Sequence, residues 1–307
     1  MKLRVVIGCL AVGLLVACSL ACGENHDAEA IVLNPSPATM TPFQPGDGIH
    51  TPEATQTATP KPLPTATATP DPITCWEQGG QVIHAVFQTS VAEAEMPYAI
   101  YLPPCYGAEE GADSYPLLVL LHGQTYDENQ WLDVGAVGAM DILIQSGEIQ
   151  PFVIAMPYES IDYNVVYERV LLDEWIPYLQ AQYALCTGRE CLAMGGISRG
   201  GSWAITIAFR HPEQFVSLGI HSVPVWEGHL DIVQHSVAHG GVGVLPRIAV
   251  DIGSSDYWRS RAMDLVNEFD RLGVGYELTV NDGGHDNDYW RSQVGAYLRW
   301  YAGGWQD

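Results

Sequence analysis

The stretch "MGGISRGGSW", Met194 to Trp203, decides how the whole chain is read. Within it, Gly196-Ile-Ser198-Arg-Gly200 is a G-x-S-x-G pattern, which between a strand and a helix forces a serine into a strained turn with its hydroxyl exposed. Alone the pattern is weak, because a serine between glycines also occurs in plain turns. Its surroundings decide. The apolar run ending at Met194 to Gly196 reads as a buried strand, and a helical pattern begins near Gly201. A phosphate-binding loop would want a lysine or a longer glycine spacing. Ser198 is therefore the candidate nucleophile.

Working outward, short runs rich in β-branched residues recur at Leu117–Leu121, Phe152–Met156, Cys191–Gly195, Phe215–Ile220, Ile248–Ile252 and Glu277–Val280, and read as buried strands. Helical patterns lie near Val134–Gln145, Val166–Tyr183, Ser202–Arg210 and Arg261–Leu272, with a last one near Tyr289–Tyr301. This alternation predicts an α/β fold: a doubly wound, mostly parallel sheet with helices on both faces. Gln81–Ser90 and Pro97–Leu102 read as an antiparallel pair at its leading edge. Pro177 kinks its helix or begins it, since proline lacks the amide and crowds the preceding turn. The connection from Val223 to Leu245 is either a pocket wall or a packed crossing, and no insertion large enough for a lid is visible.

In such a sheet, ligands sit at the carboxyl ends of the strands, so residues just past the runs are the ones to weigh. A serine hydroxyl needs a base to take its proton, and histidine suits because it titrates near working pH. Of ten histidines, His285 in "NDGGHDNDYW" follows the last strand, with His221 and His239 as competitors. His211 closes a helix, and His122 reads as packing the loop it begins. The imidazole needs an acid to hold its tautomer. Asp256 in "DIGSSDYW" lies just past the penultimate strand, whereas Asp251 lies inside it and reads as buried. For the oxyanion, the backbone N–H of Arg199 is one candidate donor and that of Gln124, in "LLHGQTYDENQW", is the other. Tyr126, Trp131, Trp203 and Trp226 add apolar surface near this end, suited to an aromatic or short acyl group.

The segments "YAIYLPPCY", "YPLLVLLHG", "EWIPYLQAQY", "MGGISRGGSWA", "RHPEQF", "GSSD" and "GGHDNDYW" resemble the esterase family that includes esterase D, enterochelin esterases, bacterial feruloyl esterases and the mycolyltransferases. The resemblance covers nearly all of residues 75–307. It implies an α/β-hydrolase fold and ester hydrolysis, with Ser198 as nucleophile, Asp256 as the acid of G-x-x-D and His285 as the base. Their order along the chain is that of the α/β hydrolases. After His122-Gly123 relatives often continue with further glycines, where this chain has Gln124-Thr125. The implied activity is that of an exported serine carboxylesterase on acyl or feruloyl esters of carbohydrates. The alternatives are an acyltransferase passing the acyl group to a sugar hydroxyl, or a noncatalytic carbohydrate-binding surface protein.

The rest of the chain bears on where this chemistry happens. Residues 1–17 read as an export signal: "MKLR" is basic, the following run is apolar, and Leu15-Val16-Ala17-Cys18 resembles a bacterial lipobox, with Cys18 the lipidation candidate and Cys22 the second choice. Residues 18–73 form a Pro/Thr-rich spacer whose stretch from Asn34 to Pro72 would reach roughly 120 Å if extended. Residues 74–307 form one catalytic domain. Their cysteines are Cys75, Cys105, Cys186 and Cys191. The last two enclose the turn-like "TGRE" and pair with each other, which leaves Cys75 for Cys105. No metal or other cofactor is expected. The net charge of -23 argues against nucleic acid and against any membrane contact except through a lipid.

Overall fold

The computed structural model describes residues 75–107, 114–159 and 165–305. The leader, Cys18, Cys22 and the spacer lie outside the described residues. Strand β1 (Gln81–Thr89) pairs antiparallel with β2 (Ala94–Leu102), and β2 pairs antiparallel with β4 (Val153–Pro157). From there the pairing is parallel through β3 (Leu117–Leu121), β5 (Leu192–Ile197), β6 (Ser217–His221), β7 (Arg247–Gly253) and β8 (Glu277–Asn281). The eight-stranded order is β1-β2-β4-β3-β5-β6-β7-β8.

Every residue of β3, β4, β5 and β6 is buried, which is why these runs are continuously apolar rather than alternating. Alternate side chains feed two separate cores: Leu117, Val119 and Leu121 face one, Leu118 and Leu120 the other. The first core is closed by α5 (Arg199–Arg210), α7 (Arg259–Leu272), α6 (Glu227–Gly240) and the helix running from residue 165 to 182. The second is closed by α1 (Gln130–Asp133), α2 (Ala136–Gln145) and α8 (Asn287–Gly303).

One expectation changes, and two open readings resolve. Glu277–Val280 is not a buried strand: among the described residues β8 ends the sheet with β7 as its one neighbour, and Leu278 and Val280 are 38% and 39% exposed. The crossing after β6 contains a full helix, α6, whose apolar stripe of Leu230, Val233 and Val237 is interrupted by Gly228 and three histidines. Of the two readings of Pro177, the structure takes the second: it stands at the start of α4 (Ile176–Gln182). The chain runs from α3 (Val165–Arg169) through a π-helical turn, Val170–Trp175, into α4, with Pro177 in the first turn of α4. The wider turn leaves room for a residue without an amide.

One buried charge ties β7 to α8. Asp251, 4% exposed, accepts hydrogen bonds from the hydroxyls of Tyr289, at 2.8 Å, and Tyr297. Burial lifts its carboxyl to about 6; the two hydroxyls oppose the rise and the charge of Asp256 adds to it. The unfolded chain releases this proton near 4. Between those values the folded state holds more protons than the unfolded state, so stability falls as pH rises through that window. Asparagine at 251 cannot titrate. Relative to the native protein, Asp251→Asn should therefore gain on the order of 3 kcal/mol between pH 4 and pH 7. Urea midpoints at the two pH values measure this, and a difference between the proteins that does not change with pH would contradict it.

Candidate active site

Ser198 sits between the last residue of β5 and the first of α5 with φ 53° and ψ -119°. A non-glycine residue there costs on the order of 1–3 kcal/mol and persists only where its surroundings over-determine it. Here the Ser198 N–H donates to His221 O at 2.8 Å, and the Ser198 carbonyl accepts from Ser202 N–H at 3.1 Å. The flanking glycines are needed for contact. A Cβ at Gly196 would lie 2.3 Å from the Gly200 carbonyl carbon, and one at Gly200 would lie 2.3 Å from Leu121 O. The turn thus packs backbone on backbone, against itself and against the end of β3.

The chain past β7 and β8 brings two more side chains to this turn. His285 Nε2 lies 2.9 Å from Ser198 Oγ, and His285 Nδ1 lies 2.8 Å from Asp256 Oδ2. The Asp256 side chain is wholly buried and that of His285 is 8% exposed. Asp256 Oδ1 accepts the Trp258 N–H at 2.7 Å, so both carboxylate oxygens are engaged. The His285 ring is flanked by Trp290, 5.1 Å away edge-on, and by Tyr257 at 4.7 Å. The competitors lie elsewhere. His221 is buried and stacked on Tyr297, with burial pushing its imidazole down to about 3, and His239 caps its own helix on His235 O.

Two ordering contacts act on the loop after β3. The buried His122 accepts the Glu159 N–H at Nε2, 2.8 Å, so its proton sits on Nδ1 and is donated to Gly123 O at 2.8 Å; burial shifts this imidazole's pKa downward. The Gly123 N–H donates to Gln130 Oε1 at 2.6 Å. Glu159, at the exit of β4, also pairs through its buried carboxylate with the Arg199 guanidinium. Glu159 and Gln130 were invisible in the sequence, since neither stands in a motif and both partners are set by where β4 and α1 come to rest.

A cleft of about 1070 Å³ opens over Ser198 and His285, lined among others by Gln124, Tyr126, Arg199, Trp203, Trp226 and Tyr257. The first turn of α6 forms one wall. Trp131 does not reach it: its indole N–H donates to Leu121 O at 3.1 Å, and the ring is 1% exposed in the core. Both disulfides, Cys75–Cys105 and Cys186–Cys191, are formed. The second supports the turn from which Arg189 donates to Phe215 O, Val244 O and Leu245 O. Among the described residues no group of three His, Cys, Asp or Glu could hold a metal ion.

Sheet, helices and turn together define an α/β hydrolase. The family model described as "Putative esterase" matches residues 89–301, and the chain belongs to that family. An endo-1,4-beta-xylanase/feruloyl esterase of Xylanibacter ruminicola is 33% identical over 136 residues, which are 40% of this chain and 19% of that protein. The chain thus spans about a fifth of that relative's length. Among solved structures, a ferulic acid esterase superposes with a TM-score of 0.64 at 23% identity, over 74% of this chain and 99% of that one. The feruloyl esterase module from Clostridium thermocellum, complexed with sinapinate, gives 0.65 at 16% identity over 76% and 92%. An S-formylglutathione hydrolase from Staphylococcus aureus gives 0.61 at 16% over 73% and 98%.

The close approach at the serine turn is testable. Gly200→Ala should lower stability by about 1–3 kcal/mol, because the new methyl meets carbonyl oxygens that cannot withdraw. Gly138→Ala, on α2 with open space around it, should be neutral or stabilising. Denaturant midpoints of the two variants compare them directly, and equal midpoints would remove the packing explanation.

Proposed function

We propose that the chain is an exported serine carboxylesterase that works through an acyl-enzyme on Ser198. The observation that carries this reading is the hydrogen-bonded relay Ser198 Oγ, His285, Asp256 at the base of an aromatic-lined cleft. Ser198 Oγ attacks the ester carbonyl as His285 Nε2 takes its proton, and Asp256 holds the tautomer and stabilises the imidazolium. The tetrahedral oxyanion is met by the backbone N–H of Arg199 and of Gln124. The Gly123 N–H is already committed to Gln130, which leaves Gln124 as the first amide of that loop able to turn to the cleft. On collapse, the carbon–oxygen bond to the alcohol breaks and His285 returns its proton to the leaving oxygen. Water, deprotonated by the same imidazole, then releases the acid.

Trp203, Trp226 and Tyr126 give the cleft flat apolar surface, and relatives and structural neighbours named for ferulate suggest phenolic acyl esters of carbohydrates as substrates. Transfer of the acyl group to a sugar hydroxyl would differ only in the nucleophile that resolves the acyl-enzyme. Product analysis with and without an added alcohol acceptor separates the two. A noncatalytic binding protein would have no use for the relay.

Ser198→Ala should lower kcat on p-nitrophenyl acetate by about 10⁴- to 10⁶-fold in a folded protein, and turnover retained within tenfold would rule out Ser198 as the nucleophile. Asp256→Asn and His285→Ala should not add, since a base already misoriented has less left to lose. For the cell biology we propose lipidation at Cys18 after removal of residues 1–17, with residues 18–73 as the tether to the domain that begins at residue 74. Cys18→Ser should then move the protein from the membrane to the soluble fraction in a bacterial host that processes lipoproteins. Unchanged fractionation would point to Cys22 or to an unlipidated leader.

A further inference from the structure

We propose that Gln130 is a positioning residue that couples the oxyanion loop to the loop carrying the base, so that both reach their working geometry together. This rests on the serine-hydrolase reading of the site. Gln130 is fully buried, an unusual place for an uncharged polar side chain unless each of its groups is satisfied. Its two ends face different loops. Oε1 accepts the Gly123 N–H at 2.6 Å, and Nε2 donates to Asn287 Oδ1 at 3.3 Å. Asn287 opens α8, two residues after His285. Beside it, the Trp131 indole N–H donates to Leu121 O and seats α1 under the end of β3, so the amide is presented by a fixed element.

The consequence for the oxyanion follows from peptide geometry. Gly123 has both backbone polar groups held, N–H by Gln130 and C=O by His122, with a further bond from Tyr126 N–H at 3.3 Å. Among the described residues no peptide bond is cis, and in a trans peptide the C=O and the following N–H point in opposite directions. Fixing Gly123 C=O toward His122 therefore aims Gln124 N–H the other way. The loop also lies against the nucleophile, since a Cβ at Gly123 would stand 3.6 Å from Ser198 Cβ. A side chain with one acceptor end and one donor end is required to join an amide on one loop to an amide oxygen on the other. Glutamine has the length and both ends.

A donor that serves only the developing oxyanion changes kcat rather than KM, which separates positioning from plain support of the fold. Gln130→Met keeps the size and loses both hydrogen bonds. It should lower kcat on p-nitrophenyl acetate by about 10- to 100-fold with KM within threefold. Gln130→Glu keeps the acceptor for Gly123 N–H, and rotation of the Asn287 amide can offer it a donor. It should recover kcat to within tenfold of the native enzyme, with the rising limb of the pH–rate profile moved to higher pH, because a new negative charge near His285 favours the imidazolium. Asn287→Ala cuts only the base-loop end and should lower kcat by about threefold to tenfold.

The coupling is overturned if folded Gln130→Met keeps kcat within twofold, or if its loss lies wholly in KM. If Gln130→Met does not fold, the other two variants decide: loss of the coupling role follows if Asn287→Ala is unaffected and Gln130→Glu shows no displaced profile. Labelling of the native protein by a fluorophosphonate is run alongside. Its absence would sink the serine-hydrolase reading itself, whereas labelling with unaffected variants would sink only the role of Gln130.

Discussion

Ser198 occupies a backbone conformation that it would not choose, and most of the site exists because that conformation is enforced. The enforcement is contact between main chains: Gly196 against Gly200, and Gly200 against Leu121 O at the end of β3. Since β3 and β5 are neighbours in the sheet, their register also sets the distance between the serine turn and the loop that begins at His122. A shift of one residue in either strand would reverse the faces of its side chains and pull the two loops apart. The site is therefore a property of the sheet's central pair before it is a property of any side chain.

The polar groups around the turn are shared rather than duplicated. Glu159 supplies its amide to His122 and its carboxylate to Arg199, so the exit of β4 braces the loop after β3 and the start of α5. On the opposite core, Asp251 binds two tyrosines of α8, the helix that follows the His285 loop, and Trp290 of the same helix donates to Ser222 Oγ at 3.0 Å while its ring flanks His285. Such networks carry their value only when complete, because each buried polar group left over costs more than its bond returned.

Much of this was legible from the chain. Ser198, Asp256 and His285 could be named because each stands just past an apolar run, and the carboxyl ends of parallel strands converge on one edge whatever the details of packing. Gln130 and Glu159 could not, since their partners are fixed by the placement of a four-residue helix and a strand exit. Trp131 read as cleft because it stands near the loop after β3; its indole N–H found Leu121 O and turned the ring inward. Helix α6 was hidden by a stripe broken with histidines. The exposure of β8 was hidden because "ELTV" has the composition of any strand, and only the order of pairing tells an edge from a centre.

That open margin has a colloidal consequence. An edge strand presents unpaired amides and carbonyls to any chain able to lie beside it, and β8 adds the half-exposed Leu278 and Val280. Glu277 begins the strand and is held by Arg247 and by the Trp300 indole, which keeps a carboxylate at the margin. Mutual repulsion between molecules that each carry -23 does the rest at neutral pH. Near the isoelectric point of about 4.5 that repulsion vanishes, which removes the long-range barrier to contact between copies along this strand.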